Sequence, residues 1–187
     1  MADHLPILGI ALGGGGARGF AHIGVLKVLQ RAGIFPRLVA GTSMGGIVGA
    51  MYARGMSAEQ MEDAVRQAVR GRRDMIRAVD LCLTQTGFVR GARIYDYIAK
   101  IIGPETRFSD LRRPLAVVAV DLNTGREVVL DRGRVADAVR ATISVPGVFL
   151  PVEIGALRLV DGGMLNNLPV DVVRHMGAEA VIAVDVL

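Results

Sequence analysis

Three short stretches of this chain carry residue types that could do chemistry together. Gly41-Thr42-Ser43-Met44-Gly45 reads G-x-S-x-G, the pattern in which a sharp strand-to-helix turn lifts a serine hydroxyl out as a nucleophile. The turn leaves little room beside the serine, so small flanking residues are what it asks for. The helix that follows sets its N-terminal dipole beside the hydroxyl and favours negative charge there. An ordinary glycine-rich turn would look similar, since the chain holds 24 glycines. The context favours the nucleophile: an apolar strand, Leu38-Val39-Ala40, runs in, and a small-residue helix from Gly46 to Arg54 runs out.

A serine hydroxyl needs a base. Asp161 of Asp161-Gly162-Gly163 follows a short strand, Leu157 to Val160, and the two glycines let the backbone approach another element closely. The plain alternative is an Asp-Gly turn. His175 offers a rival arrangement, because Ser43, Asp161 and His175 follow the order Ser, Asp, His. It falls late in a predicted helix, Val170 to Met176, rather than on a loop. If Asp161 serves alone, partial burial that raises its pKa would help it take a proton.

The third stretch, Gly13-Gly14-Gly15-Gly16-Ala17-Arg18-Gly19, lies between a predicted strand (Pro6 to Leu12) and a predicted helix (Phe20 to Ala32). Gly14, Gly16 and Gly19 fit a dinucleotide fingerprint, which wants an acidic residue about 20 positions on. No Asp or Glu stands between Asp3 and Glu59, which leaves only Arg37, as a partner for a 2′-phosphate. A phosphate loop ending in G-K-[ST] is absent. The natural reading is an oxyanion hole, in which the amides of Gly14, Gly15 and Gly16 point at a developing negative charge. Arg18 could hold a substrate phosphate with its planar fork or serve as a structural arginine. His22, one turn into the helix, reads as a packing or hydrogen-bonding residue.

The elements that must position these groups alternate in type. Ser57 and Gln60 form a capping box for a helix carrying Met61, Ala64, Val65, Ala68 and Val69 on one side. Its arginines, Arg66, Arg70, Arg72, Arg73 and Arg77, fit a solvated face or contact with an anionic lipid surface. Residues 74–104 are irregular, then helical from Ala92 to Ile102, and are the expected cover or acyl-binding wall. Leu115 to Leu122 is a buried strand that turns at Asn123-Thr124-Gly125 into a second, Glu127 to Leu130. A helix from Arg134 to Ser144, a proline-stiffened loop and a last apolar strand, Ala180 to Val186, complete the chain.

The 187 residues, 51% hydrophobic and 21% charged, suit one folded domain with a core. Cys82 is the single cysteine, and with His4, His22 and His175 it offers no zinc-ligand spacing. The first residues lack a secretory pattern, and no run approaches the roughly 18 apolar residues of a membrane span. A cytoplasmic protein, peripheral at the membrane, is the expectation. The net charge of +4 attracts anions, but aromatics make up 4% and tryptophan is absent, a poor supply of base-stacking platforms. Nucleic acid is not an expected partner.

Taken in order, the three motifs resemble those of the patatin-like phospholipase family, in the bacterial flavour close to the neuropathy target esterase type of catalytic domain. Ala21-His22-Ile23-Gly24-Val25-Leu26, Ser144-Val145-Pro146-Gly147-Val148-Phe149 and Asn166-Asn167-Leu168-Pro169 are similar to that family too. The likeness runs from Leu8 to Val186. It implies the α/β class: one three-layer α/β/α domain, residues 1–187, around a central, mostly parallel sheet. It implies a Ser43–Asp161 dyad without histidine, an oxyanion hole at Gly14, Gly15 and Gly16, Arg18 at the motif's basic position, and neither cofactor nor metal. The implied activity is hydrolysis of acyl esters in phospholipids, lysophospholipids or neutral lipids. Many relatives continue past the strand after the Asp161 segment, so a minimal or C-terminally truncated form of the domain is expected. The alternatives are a lipid-binding or regulatory protein that keeps the fold without catalysis, and an acyl transferase, which would share every motif.

Overall fold

A computed structural model of the chain describes residues 6–70 and 92–187. Among these residues, seven strands form one sheet: β1 (Leu8–Leu12), β2 (Leu38–Thr42), β3 (Leu115–Asp121), β4 (Arg126–Leu130), β5 (Val152–Ile154), β6 (Leu157–Asp161) and β7 (Ala180–Val184). Strands β7, β1, β2 and β3 pair in parallel. The remaining pairings, β3 with β4, β3 with β6 and β5 with β6, are antiparallel. The expected α/β sheet is thus a parallel set of four with an antiparallel extension.

The register around β3 explains how distant parts of the sequence meet. Val117 and Val118 pair with both β2 and β4, while Ala119, Val120 and Asp121 pair with both β6 and β4. A strand has only two edges, so β4 occupies one and β2 and β6 share the other, end to end. They run toward each other: Thr42 closes β2 opposite Val118, and Asp161 closes β6 opposite Ala119. Consecutive positions on β3 are about 3.3 Å apart. The two strands therefore deliver their C-terminal ends to one point.

Side chains alternate across the strands, and the two faces are packed differently. Ile10, Leu12, Val39 and Val117 face a thick helical layer and share one core with Ile23 and Leu26 of α1 (Ala21–Arg31), Val48 and Met51 of α2 (Met44–Arg54), and Met61 of α3 (Ala58–Arg70). Ile98 and Ile102 of α4 (Ala92–Ile102) and Val135 and Val139 of α5 (Val135–Thr142) complete it. The other face presents Ala11, Ala40 and Ala116 with Val118. These small residues let α6 (Val170–His175) seat Val172 and Val173 directly on the sheet. Three layers result, the third built by α6 among the described residues.

Helix α2 starts at Met44, two residues before the expected Gly46, because Ser43 alone makes the turn. The expected capping box forms: Ser57 N–H donates to Gln60 Oε1 (2.8 Å) and Gln60 N–H to Ser57 Oγ (3.2 Å). Helix α4 has the expected bounds. Before α1, Gly16–Phe20 forms a separate 3-10 turn, so α1 starts at Ala21, one residue after the expected Phe20. Strand β5 has no counterpart among the sequence-based expectations. Arg72, Arg73, Arg77 and the cover expected before residue 92 lie outside the described residues. No helix among the described residues is long and apolar enough to cross a membrane.

Candidate active site

Ser43 stands between the last residue of β2 and the first of α2 with φ 53° and ψ −121°. It is the one non-glycine residue with positive φ among the described residues, in a region that L side chains rarely occupy. Its two glycine neighbours are dictated by contact with backbone. A Cβ on Gly45 would stand 2.0 Å from the Leu12 carbonyl oxygen, and one on Gly41 would stand 2.4 Å from that of Gly45. Neither obstacle can rotate away. The Ser43 N–H donates to Thr142 Oγ1 at 2.8 Å, and that hydroxyl in turn donates to the Val118 carbonyl. Helix α5 thus ties the elbow to β3.

The Ser43 hydroxyl donates to Asp161 Oδ2 at 2.7 Å. The other carboxylate oxygen, Oδ1, accepts the Gly163 N–H at 2.8 Å. Asp161 N–H donates to the Ser144 carbonyl at 3.0 Å, which fixes the end of β6. Gly162 must lack a side chain, because a Cβ there would meet the Val118 carbonyl oxygen at 2.3 Å. Asp161 is only 6% exposed. Burial pushes its pKa above the ordinary carboxylate value, while the hydrogen bonds from Ser43 and Gly163 pull the other way. A carboxylate so placed is a stronger base than one in water.

The glycine loop lies beside this pair. An ideal Cβ on Gly14 would stand 3.2 Å from Ser43 Cβ. Two side chains hold the loop by its carbonyls. The buried His22 contributes Nε2 to the Gly13 carbonyl at 2.8 Å, and Asn167 Nδ2 donates to the Gly14 carbonyl at 3.2 Å. The Gly14 N–H donates to the Asn167 carbonyl at 3.0 Å. This corrects one sequence expectation: the Gly14 amide is already committed, so Gly14 is a wall beside Ser43 rather than a free donor. The amides of Gly15 and Gly16 have no acceptor among the described residues. Gly16, at φ +55°, is exposed. Arg18 is exposed in the 3-10 turn, with no ion-pair partner among the described residues.

His175 does not join the site. It is exposed on α6, with Nδ1 2.7 Å from the Asp171 carbonyl, and lines a cavity with Leu38 and Leu115 at the opposite ends of β2 and β3 from Ser43. Arg37 is equally remote from the glycine loop: its N–H donates to the carbonyl of Leu8, the first residue of β1, whereas the loop follows the last. The 2′-phosphate reading fails on that distance. His22 has the supporting role expected of it, and burial lowers its pKa. Among the described residues, no group of three His, Cys, Asp or Glu could hold a metal ion. Sequence reasoning missed Thr142 and Asn167 as site residues. Asn166-Asn167 was visible only as part of a family-like string, with no chemistry attached.

The site thus joins a strained serine on a strand-to-helix turn, bonded directly to a buried carboxylate, with a glycine loop beside it. The chain belongs to the patatin-like phospholipase family, whose model matches residues 10–174. It is 37% identical over 179 residues to an uncharacterized NTE family protein of Mycobacterium tuberculosis, covering 96% of this chain and 49% of that protein. It is also 37% identical over 183 residues to patatin-like phospholipase domain-containing protein 6 of Mus musculus, covering 96% of this chain and 13% of that one. The chain thus spans half or less of the length of these relatives. Among solved structures, VipD from Legionella pneumophila shares the fold at a TM-score of 0.57 and 14% identity, over 87% of this chain and 46% of that one. ExoU in complex with SpcU from Pseudomonas aeruginosa does so at 0.53 and 22%, over 85% and 40%.

Proposed function

We propose that this chain is a serine acyl hydrolase that cleaves fatty-acyl esters of phospholipids, lysophospholipids or related lipids through a Ser43–Asp161 dyad. The observation that carries the reading is the 2.7 Å hydrogen bond from the strained Ser43 hydroxyl to a buried carboxylate. Ser43 Oγ attacks the ester carbonyl as its proton passes to Asp161 Oδ2, and the carbonyl oxygen becomes an oxyanion. The Gly15 and Gly16 amides are the proposed donors to that oxyanion. Collapse expels the alcohol, which takes the proton from Asp161. Water then attacks the acyl-enzyme, gives a proton to Asp161 and releases the fatty acid, and the proton returns to Ser43.

Lipid as the substrate class rests on family membership and on the surface around the site. Met164 and Leu165, directly after Gly163, are 63% and 58% exposed, and Val145, next to Ser144, is 41% exposed. Large apolar side chains in water beside a reaction centre suit a substrate that is itself apolar. The exposed Arg18 is the proposed partner of a substrate phosphate. Peripheral contact with a membrane is proposed on the same exposed apolar and basic residues. The test is intact mass after incubation with a fluorophosphonate, wild type beside Ser43→Ala. One adduct on wild type and none on the variant is the expected result. No adduct on a folded wild-type chain overturns the reading and favours a lipid-binding or regulatory role.

A further inference from the structure

We infer that Asn167 is a positioning residue that sets the oxyanion-binding amide of Gly15. The inference rests on the acyl-hydrolase reading and deepens it. Gly14 and Gly15 share a peptide unit, which is planar and trans, so its C=O and its N–H point in opposite directions. Asn167 Nδ2 takes hold of that unit by its carbonyl at 3.2 Å. Fixing the Gly14 carbonyl toward Asn167 therefore fixes the Gly15 N–H away from it. Glycine offers no side chain of its own to prevent such a peptide from rotating. The preceding unit is held in the same way, with the Gly13 carbonyl on His22 Nε2 and the Gly14 N–H on the Asn167 carbonyl.

The same carboxamide also lies beside Gly163, the glycine that holds the base. An ideal Cβ on Gly14 would stand 2.5 Å from Asn167 Oδ1, and one on Gly163 would stand 2.9 Å from it. Asn167 thus fills the gap between the loop that touches Ser43 and the glycine whose N–H holds Asp161. Its own backbone is steadied through its neighbour, since the Thr42 hydroxyl donates to the Asn166 carbonyl at 2.9 Å. A hydrogen bond to a carbonyl also polarises the amide and makes its N–H a better donor. Orientation and donor strength act on the same atom.

Asn167→Ala leaves the Ser43–Asp161 hydrogen bond in place and frees the Gly14–Gly15 peptide. Its fluorophosphonate labelling and kcat should fall about 10- to 100-fold, less than the roughly 10²- to 10³-fold of deleting an oxyanion donor outright because the amide is loosened rather than removed, with KM within about threefold. Asn167→Asp is the control of equal shape. Its ionised carboxylate repels the Gly14 carbonyl, but the protonated acid can donate to it. The labelling rate of Asn167→Asp relative to wild type should therefore rise severalfold from about pH 7 to about pH 4, where an ordinary aspartate takes up its proton, a trend that lost packing would not produce. Should Asn167→Ala fail to fold, this ratio decides by itself. A wild type that labels together with an Asn167→Ala that labels equally well, or a flat ratio, overturns the inference and leaves the hydrolase reading standing. A wild type that does not label takes both down.

Discussion

Strands β2 and β6 end at the same point on β3 and deliver different commodities there. Strand β2 belongs to the parallel set and brings a backbone. Ser43 is useful because of its φ and ψ, and its turn exists because Gly41 and Gly45 leave carbonyl oxygens where a Cβ would be. Strand β6 belongs to the antiparallel extension and brings a side chain in an environment. Asp161 adopts an unexceptional backbone, φ −52° and ψ 128°. Its chemistry comes from burial and from what touches its two oxygens. One half of the site is made by steric exclusion and the other by desolvation. They should fail in different ways when altered.

The largest expected effect separates base from bystander. Asp161→Asn keeps shape but cannot accept the Ser43 proton, so esterase activity on a short-chain ester should drop about 10³-fold or more. His175→Ala, remote from the site, should stay within about twofold. Reversal of that ranking would restore a histidine-based triad and strip β6 of its role as the strand that brings the base.

The two halves should also differ in what glycine replacement does to stability. Gly45→Ala forces a methyl onto the Leu12 carbonyl and should cost about 3 kcal/mol or more, or prevent folding. At Gly163 the nearest atom is the Asn167 Oδ1 side-chain oxygen at 2.9 Å, which can shift, so Gly163→Ala should cost about 1 kcal/mol. Denaturant midpoints compare them directly; equal costs would erase the distinction.

The smallest effect concerns pH. Asp161 has a folded-state pKa above its unfolded value, so the native state holds its proton more tightly. Stability from this group is present at low pH and is lost as pH rises from the ordinary carboxylate value, 3.8, through the raised one. Asp161→Asn should then match or exceed the wild-type melting temperature at pH 7, with the gain shrinking toward pH 4. A gain that grew in acid would mean that the carboxylate stabilises the fold rather than burdening it.

The sequence disclosed these halves unequally. Strands buried on both faces read as unbroken apolar runs, and Leu115 to Val120, buried throughout, could hardly be anything else. The elbow was legible because steric demand writes itself as glycine at fixed spacing. Strand β5, with three residues and one neighbour, leaves no periodicity to detect. Asp161 was legible as a candidate through the two glycines after it, but its elevated pKa comes from burial, which is made by elements brought in from elsewhere in the chain. The Gly14 amide looked free for the same reason. Nothing local in Asn166-Asn167-Leu168-Pro169 says that its second residue takes both polar groups of a glycine 153 positions earlier.

The pairing of β6 with β3 spans three residue pairs, Ala119 with Asp161, Val120 with Val160 and Asp121 with Leu159. A ladder that short carries a heritable constraint. Lengthening the surface connections on either side of β5 and β6 is cheap, because loop closure cost grows slowly with length. One residue inserted between Leu159 and Asp161 would instead turn the carboxylate to the opposite face of the sheet. The fold could survive while Ser43 lost its hydrogen-bond partner. In a lineage built on this scaffold, a single inserted codon would part Asp161 from Ser43 and spare the G-x-S-x-G string.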